Sequence, residues 1–137
     1  MSADLELQKA IRAALVADGG VTALVPASKI LDMNAAPAPN PSIILGESQV
    51  IDNGSSLAGD HEQIVHTLHI WKEEASLVGV KGIASAIRGA LAGRLSLPAP
   101  YHVAGQKVAS ARFLRDPDGV TSHGVVTLEV LISGDAP

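Results

Sequence analysis

Apolar residues recur along this chain with two different periods, and each change of period marks a predicted element. Leu7, Ile11, Ala14 and Leu15 share one face at helical spacing, which predicts a first helix over Asp4–Asp18. Gly19 and Gly20 are expected to stop it, because glycine accepts the left-handed C-terminal position. Val21–Val25 reads as a further helical turn before Pro26. Asn34–Pro41 carries Pro37, Pro39 and Pro41, which predicts a stiff, extended connection.

From Ser42 the period becomes two. Ser42–Ile51 reads as a strand with Ile43 and Leu45 on one face and Ile44 on the other. A polar, glycine-bearing loop, Asp52–Asp60, follows. Glu62–Lys72 shows the clearest alternation. Ile64, His66, Leu68 and Ile70 lie on one face, and Val65, Thr67, His69 and Trp71 on the other. Two mixed faces indicate a strand covered in part on both sides.

The helical period returns over Leu77–Leu95. Val80, Ile83, Ala84, Ile87, Ala90 and Leu91 form its core face, with Lys81, Ser85 and Arg88 opposite. Tyr101–Arg115 and Val120–Ser133 then read as two strands, the first interrupted at Gly105. In the second, Val126, Leu128, Val130 and Ile132 alternate with Thr127, Glu129 and Leu131. Between them, Asp116-Pro117-Asp118-Gly119 is a turn signal with a mechanism. Proline presets φ, aspartate bonds back to its own backbone, and glycine takes a positive φ. The order α, β, β, α, β, β predicts the α+β class: an antiparallel sheet of four strands, or slightly more, with two helices on one face. One domain, 1–137, is expected, ending in a frayed tail at 134–137.

Composition narrows the function. Hydrophobic residues make up 47% of the chain but aromatics only 2%. The core must therefore be aliphatic, and a base-stacking surface for single-stranded nucleic acid lacks its rings. The formal charge of −4, without a basic run, argues against a phosphate-gripping face. There is no cysteine, so disulfide and thiolate chemistry are excluded. The acidic start lacks the pattern of a signal peptide, and no apolar stretch reaches membrane-span length. The chain reads as cytoplasmic where it is made, with no membrane partner.

Candidate chemistry fails on spacing. His61-Glu62-Gln63-Ile64-Val65-His66 resembles a zinc-hydrolase motif, but its histidines are five apart instead of four and the segment alternates like a strand. His66 and His69 diverge across their strand, and His123 reaches either only through folding. One buried, hydrogen-bonded histidine, His66, is the expected outcome, and no metal or cofactor is expected. No serine sits in a nucleophile elbow, and Gly79–Gly82 lacks the spacing of a phosphate loop.

The second helix carries a stripe of small residues, Gly82, Ala86, Gly89 and Gly93, along one flank. Each glycine costs a helix interior about 1 kcal/mol relative to alanine. The stripe therefore predicts a close neighbour, either the first helix of the same subunit, which is the favoured reading, or another subunit. On the first helix, Leu5 and Val16 lie opposite the core face, suited to the rim of an oligomer interface.

The segments LQKAIRAALVAD, VTALV, PSIILGES, HTLHIWKE, IASAIRGALAGRL and RFLRDPDGVTSHGVVTLEVLI follow one another over most of the chain. In this order and spacing they resemble the tail-completion, or tail-terminator, proteins of long-tailed phages and gene transfer agents. The resemblance implies a non-enzymatic virion protein. It implies a ring, usually hexameric, that caps the tail tube and joins it to the head-side neck. DNA would pass through the lumen without specific binding. Implied partners are further copies of the chain, the tube protein and the neck or connector proteins, met in the cytoplasm during assembly and then held in the virion. The candidate subunit interface is Gly82, Ala86, Gly89 and Gly93 with Leu5 and Val16. Candidate neck or tube contacts are Asp52, Asn53, Gly54 and Asp60 from the polar loop, and Asp116 and Asp118 from the turn. The alternatives are a small-ligand or regulatory domain and a metal-dependent hydrolase built on His61 and Glu62.

Overall fold

A five-stranded sheet forms one layer and the helices a second, with the aliphatic core between them. The computed structural model describes residues 2–32, 40–51 and 61–134. The first helix, α1 (Ala3–Ala17), starts at Ser2, whose hydroxyl accepts from the Leu5 amide at 3.1 Å. Asp4 and Glu6 in its first turn complement the positive end of the helix dipole. Ala3, Leu7, Ile11 and Leu15 are its buried residues, one per turn.

Gly19 and Gly20 do not end α1 in a left-handed cap. Among the described residues only Gly119 has a positive φ. Asp18 instead caps a second, short helix, α2 (Gly19–Thr22), its carboxylate accepting from the Val21 amide at 3.0 Å. α1 itself ends with the Asp18 amide donating to the Leu15 carbonyl at 3.3 Å, and the chain passes from Asp18 directly into α2.

A single 3-10 turn, Ala27–Lys29, leads into β1 (Ile30–Leu31). This two-residue strand is parallel to β2 (Ser42–Ile51) and was not expected. The proline-rich connection falls mostly outside the described residues. β2 pairs antiparallel with β3 (His61–Lys72), β3 with β5 (Ser122–Gly134), and β5 with β4 (Tyr101–Arg115). The sheet order is β1-β2-β3-β5-β4. The predicted α+β class, with a mostly antiparallel sheet, is the observed one. Residues 135–137 of the predicted frayed tail lie outside the described residues, and Gly134 closes β5.

The predicted inward faces are the core. Ile64, Leu68 and Ile70 on β3 are buried with Val126, Leu128, Val130 and Ile132 on β5. The third helix, α3 (Val78–Ala90), covers them with Val80, Ile83, Ala84 and Ile87. It begins where the Glu74 carboxylate and the Ser76 hydroxyl accept from the Gly79 and Val78 amides. It ends five residues before its predicted limit of Leu95. The cause is Gln106 on β4, whose amide donates to the carbonyls of Leu91 and Gly93 and accepts from the Leu95 amide. These bonds tie residues 91–95 to the sheet in place of another helical turn.

α1 packs over β1 and β2, and α3 over β3, β5 and β4. The helix layer therefore follows the sheet from edge to edge, and the sheet's second face is free of helices among the described residues.

Candidate interaction surfaces

The glycine stripe has no close neighbour inside the subunit. A Cβ built on Gly82, Gly89 or Gly93 meets nothing within 4 Å. The favoured reading, tight packing against α1, is therefore wrong. Gly93 also lies past the end of α3, so only Gly82 and Gly89 are helical. Ala86 packs half-buried against the core, as does Val16 on α1, so Val16 is not an exposed rim residue. Leu5 is exposed, at 45%. An open groove separates α1 from the end of α3, lined by Ala10, Ala13, Ala14, Ala90 and Gly93. The structure does not bring Leu5 together with the stripe; they belong to different helices over different strands.

The glycines that do permit close approach are elsewhere. At Gly46 a Cβ would lie 2.6 Å from the His69 ring and 3.0 Å from the Thr67 carbonyl oxygen. At Gly79 it would strike the side chains of Lys72 and Glu74. Glycine spacing along the sequence carries no information about these cross-strand neighbours.

The turn between β4 and β5 forms as its residues dictate. Gly119 has φ of +78°, and its amide donates to the Asp116 carbonyl at 3.0 Å. Asp118 accepts from the amides of Val120 and Thr121 and from the Thr121 hydroxyl. Those bonds, led by the Thr121 hydroxyl, hold its carboxyl below the ordinary aspartate value. Asp116 and Asp118 thus project on a locked turn. Asp52, Asn53, Gly54 and Asp60 lie outside the described residues.

The free face of the sheet carries a polar row that sequence spacing did not reveal. His69 Nε2 donates to Glu47 Oε1 at 2.7 Å, and His69 Nδ1 lies 2.9 Å from His123 Nε2. A neutral His69 donates to the carboxylate and accepts from His123. Trp71 stacks on His123 with centroids 3.9 Å apart and planes 5° apart. Burial, then the neighbouring His69, lowers the His123 pKa, and the His69 hydrogen bond lowers that of Glu47. The row runs in line across β2, β3 and β5 and does not converge on a point. Among the described residues no cluster of three or more His, Asp or Glu side chains is arranged to hold a metal ion. Its signal, the shared parity of His69 and Trp71, lacked the register that sets His123 opposite Trp71.

His66 faces inward and is fully buried. It is not hydrogen-bonded as expected: among the described residues neither ring nitrogen has a partner. Burial lowers its pKa, opposed incompletely by Asp4, by the nearby Thr67 backbone, and by Asp32 and Glu47.

Charge is segregated in a way the overall −4 conceals. Residues 75–115 hold Lys81, Arg88, Arg94, Lys107, Arg112 and Arg115, six of the ten Lys and Arg, and none of the 14 Asp and Glu. This segment builds α3 and β4, one edge of both layers. There a groove lined by Lys81, Ala84, Ser85, Arg88, Ala111 and Phe113 runs between helix and strand. Lys81 Nζ sits 5.7 Å from the Phe113 ring centroid, within cation–π range.

Fold and surfaces together define a class: a small α+β subunit whose distinctive polar groups line open faces, edges and grooves. The family of Tail completion protein gp17 matches residues 9–133. The chain belongs to that family, and is thus a structural protein of the virion tail and not an enzyme. Its fold is similar to that of a chain in the virion of a native gene transfer agent particle, with a TM-score of 0.80 at 21% identity, covering 97% of this chain and 98% of that one. It is also similar to the gp17 protein of bacteriophage SPP1, with a TM-score of 0.65 at 22% identity, covering 98% and 94%. No curated protein matches by sequence.

Proposed function

We propose that this chain assembles in the cytoplasm into a closed ring, six copies as the family resemblance implies. The ring caps the tail tube, joins it to the head-side neck and leaves a lumen through which DNA passes without specific binding. The family match over residues 9–133 carries this reading. Its partners are then further copies of itself, the tube protein and the neck proteins. The exposed members of the predicted interface, Gly82, Gly89, Gly93 and Leu5, are proposed to meet neighbouring copies. Asp116 and Asp118 on the locked turn, with Asp52, Asn53, Gly54 and Asp60 between β2 and β3, are proposed to meet tube or neck. Native mass spectrometry of the purified chain, alone and with tube protein, tests the ring. A six-copy species is the expected result. A chain that stays monomeric in both, even after cross-linking, refutes it.

A further inference from the structure

We propose that the basic α3/β4 edge of one copy docks onto the α1/β1/β2 edge of the next, and that opposite charge sets this contact. The inference rests on the ring reading and assigns its two surfaces. A closed ring requires a heterologous contact, with two different patches on each subunit. The sheet order places β1 and β4 at opposite edges, with α1 above the first and α3 above the last. Each edge thus ends both layers, and joining the two edges sets sheet beside sheet and helix layer beside helix layer.

The charges of the edges are complementary. Within α3 and β4, Lys81, Arg88, Lys107, Arg112 and Arg115 have no acidic residue among them. Lys107 pairs with Glu129, whereas Arg88 and Arg112 are exposed and have no carboxylate partner among the described residues. The opposite edge presents Asp32 and Glu47, both exposed, beside a half-buried Asp4 that accepts from the Ser48 hydroxyl. Two of its cations are already engaged: Lys9 with Glu6, and Arg12 with the carbonyls of Ile30 and Ala27; Lys29 is the remaining one. Glu47 keeps a 72% exposed side chain.

Charged residues on an edge strand also discourage unwanted strand pairing. That role accounts for Lys107 and Arg112 but not for Lys81 and Arg88, which extend the charge onto the helix layer. β4 is bulged at Ala104 and Ala109, where its register with β5 shifts. Its outer edge is therefore a poor template for a continuous ladder, and side-chain charge is left to specify the neighbour.

Complementary charge reversal tests the assignment. Variant one is Arg88→Glu with Arg112→Glu; variant two is Asp32→Lys with Glu47→Lys. All four side chains are exposed, and thermal melting confirms that each variant folds. Native mass spectrometry should show each variant alone as monomer at concentrations where the unmodified chain forms rings. An equal mixture should restore rings in which the two variants alternate, because both junctions then pair opposite charges. Variants that each form normal rings alone, or a mixture that stays monomeric, overturn the edge assignment and leave the ring reading intact. An unmodified chain that never assembles overturns both. A short DNA duplex bound by the unmodified chain but not by variant one, with assembly unchanged, assigns the basic edge to nucleic acid and overturns the subunit contact.

Discussion

Replacing His66 by leucine should stabilise the fold, and more so in acid. The imidazole is fully buried on the core face of β3, beneath the helices. Its ring nitrogens, one donor and one acceptor when neutral, have no partners among the described residues. An unsatisfied buried polar group costs about 1–3 kcal/mol, and an apolar side chain of similar size removes that cost. His66→Leu should therefore gain about 1–3 kcal/mol near neutral pH. The acid dependence has a definite sign. Burial depresses the folded pKa below the unfolded value of 6.5. Above 6.5 both states hold a neutral ring and nothing is lost. As pH falls below it, the unfolded chain takes up a proton that the folded chain refuses. Stability then drops by up to about 1.4 kcal/mol per pH unit until the folded pKa is reached. Urea unfolding of both proteins at pH 7.5 and about 5.5 measures the two effects. The reasoning fails if the variant is less stable at neutral pH, or if both proteins lose stability in parallel on acidification.

Two further outcomes are expected. Leu128→Ala, at a fully buried position on β5, should cost about 2–5 kcal/mol, while Thr127→Ala on the other face changes stability little; equal losses in urea melts contradict the register. Gly82→Ala and Gly89→Ala should each stabilise the isolated chain by about 0.5–1 kcal/mol, because the new Cβ meets nothing, whereas Gly46→Ala should cost about 1–3 kcal/mol against His69 and the Thr67 carbonyl; thermal melts in which all three shift the same way reject this account.

The strands and the core were legible because alternation is a local property. Ile64, Leu68 and Ile70, like Val126 to Ile132, reveal their face without any partner. What escaped depended on distant partners. The end of α3 is set by Gln106, eleven residues beyond Leu95. β1 has two residues, too few to show a period. The Glu47–His69–His123–Trp71 row exists only once three strands are in register. The stripe of Gly82, Gly89 and Gly93 was visible, but which backbone approaches it is not written in helical spacing. The basic edge was fully present in the sequence. It was lost by reading charge as a total, which averages residues 75–115 with a strongly acidic remainder.

Trp71 is the chain's single tryptophan, and its place on the open sheet face gives the subunit an intrinsic reporter. An indole stacked on imidazole emits less when that ring becomes cationic, so its fluorescence follows the protonation of His123. The same indole lies away from the core, at the end of a row whose other end, Glu47, belongs to the acidic edge. Anything laid against this face would shift the colour of one lamp, and a neighbour that draws Glu47 away would reach it through His69 and His123.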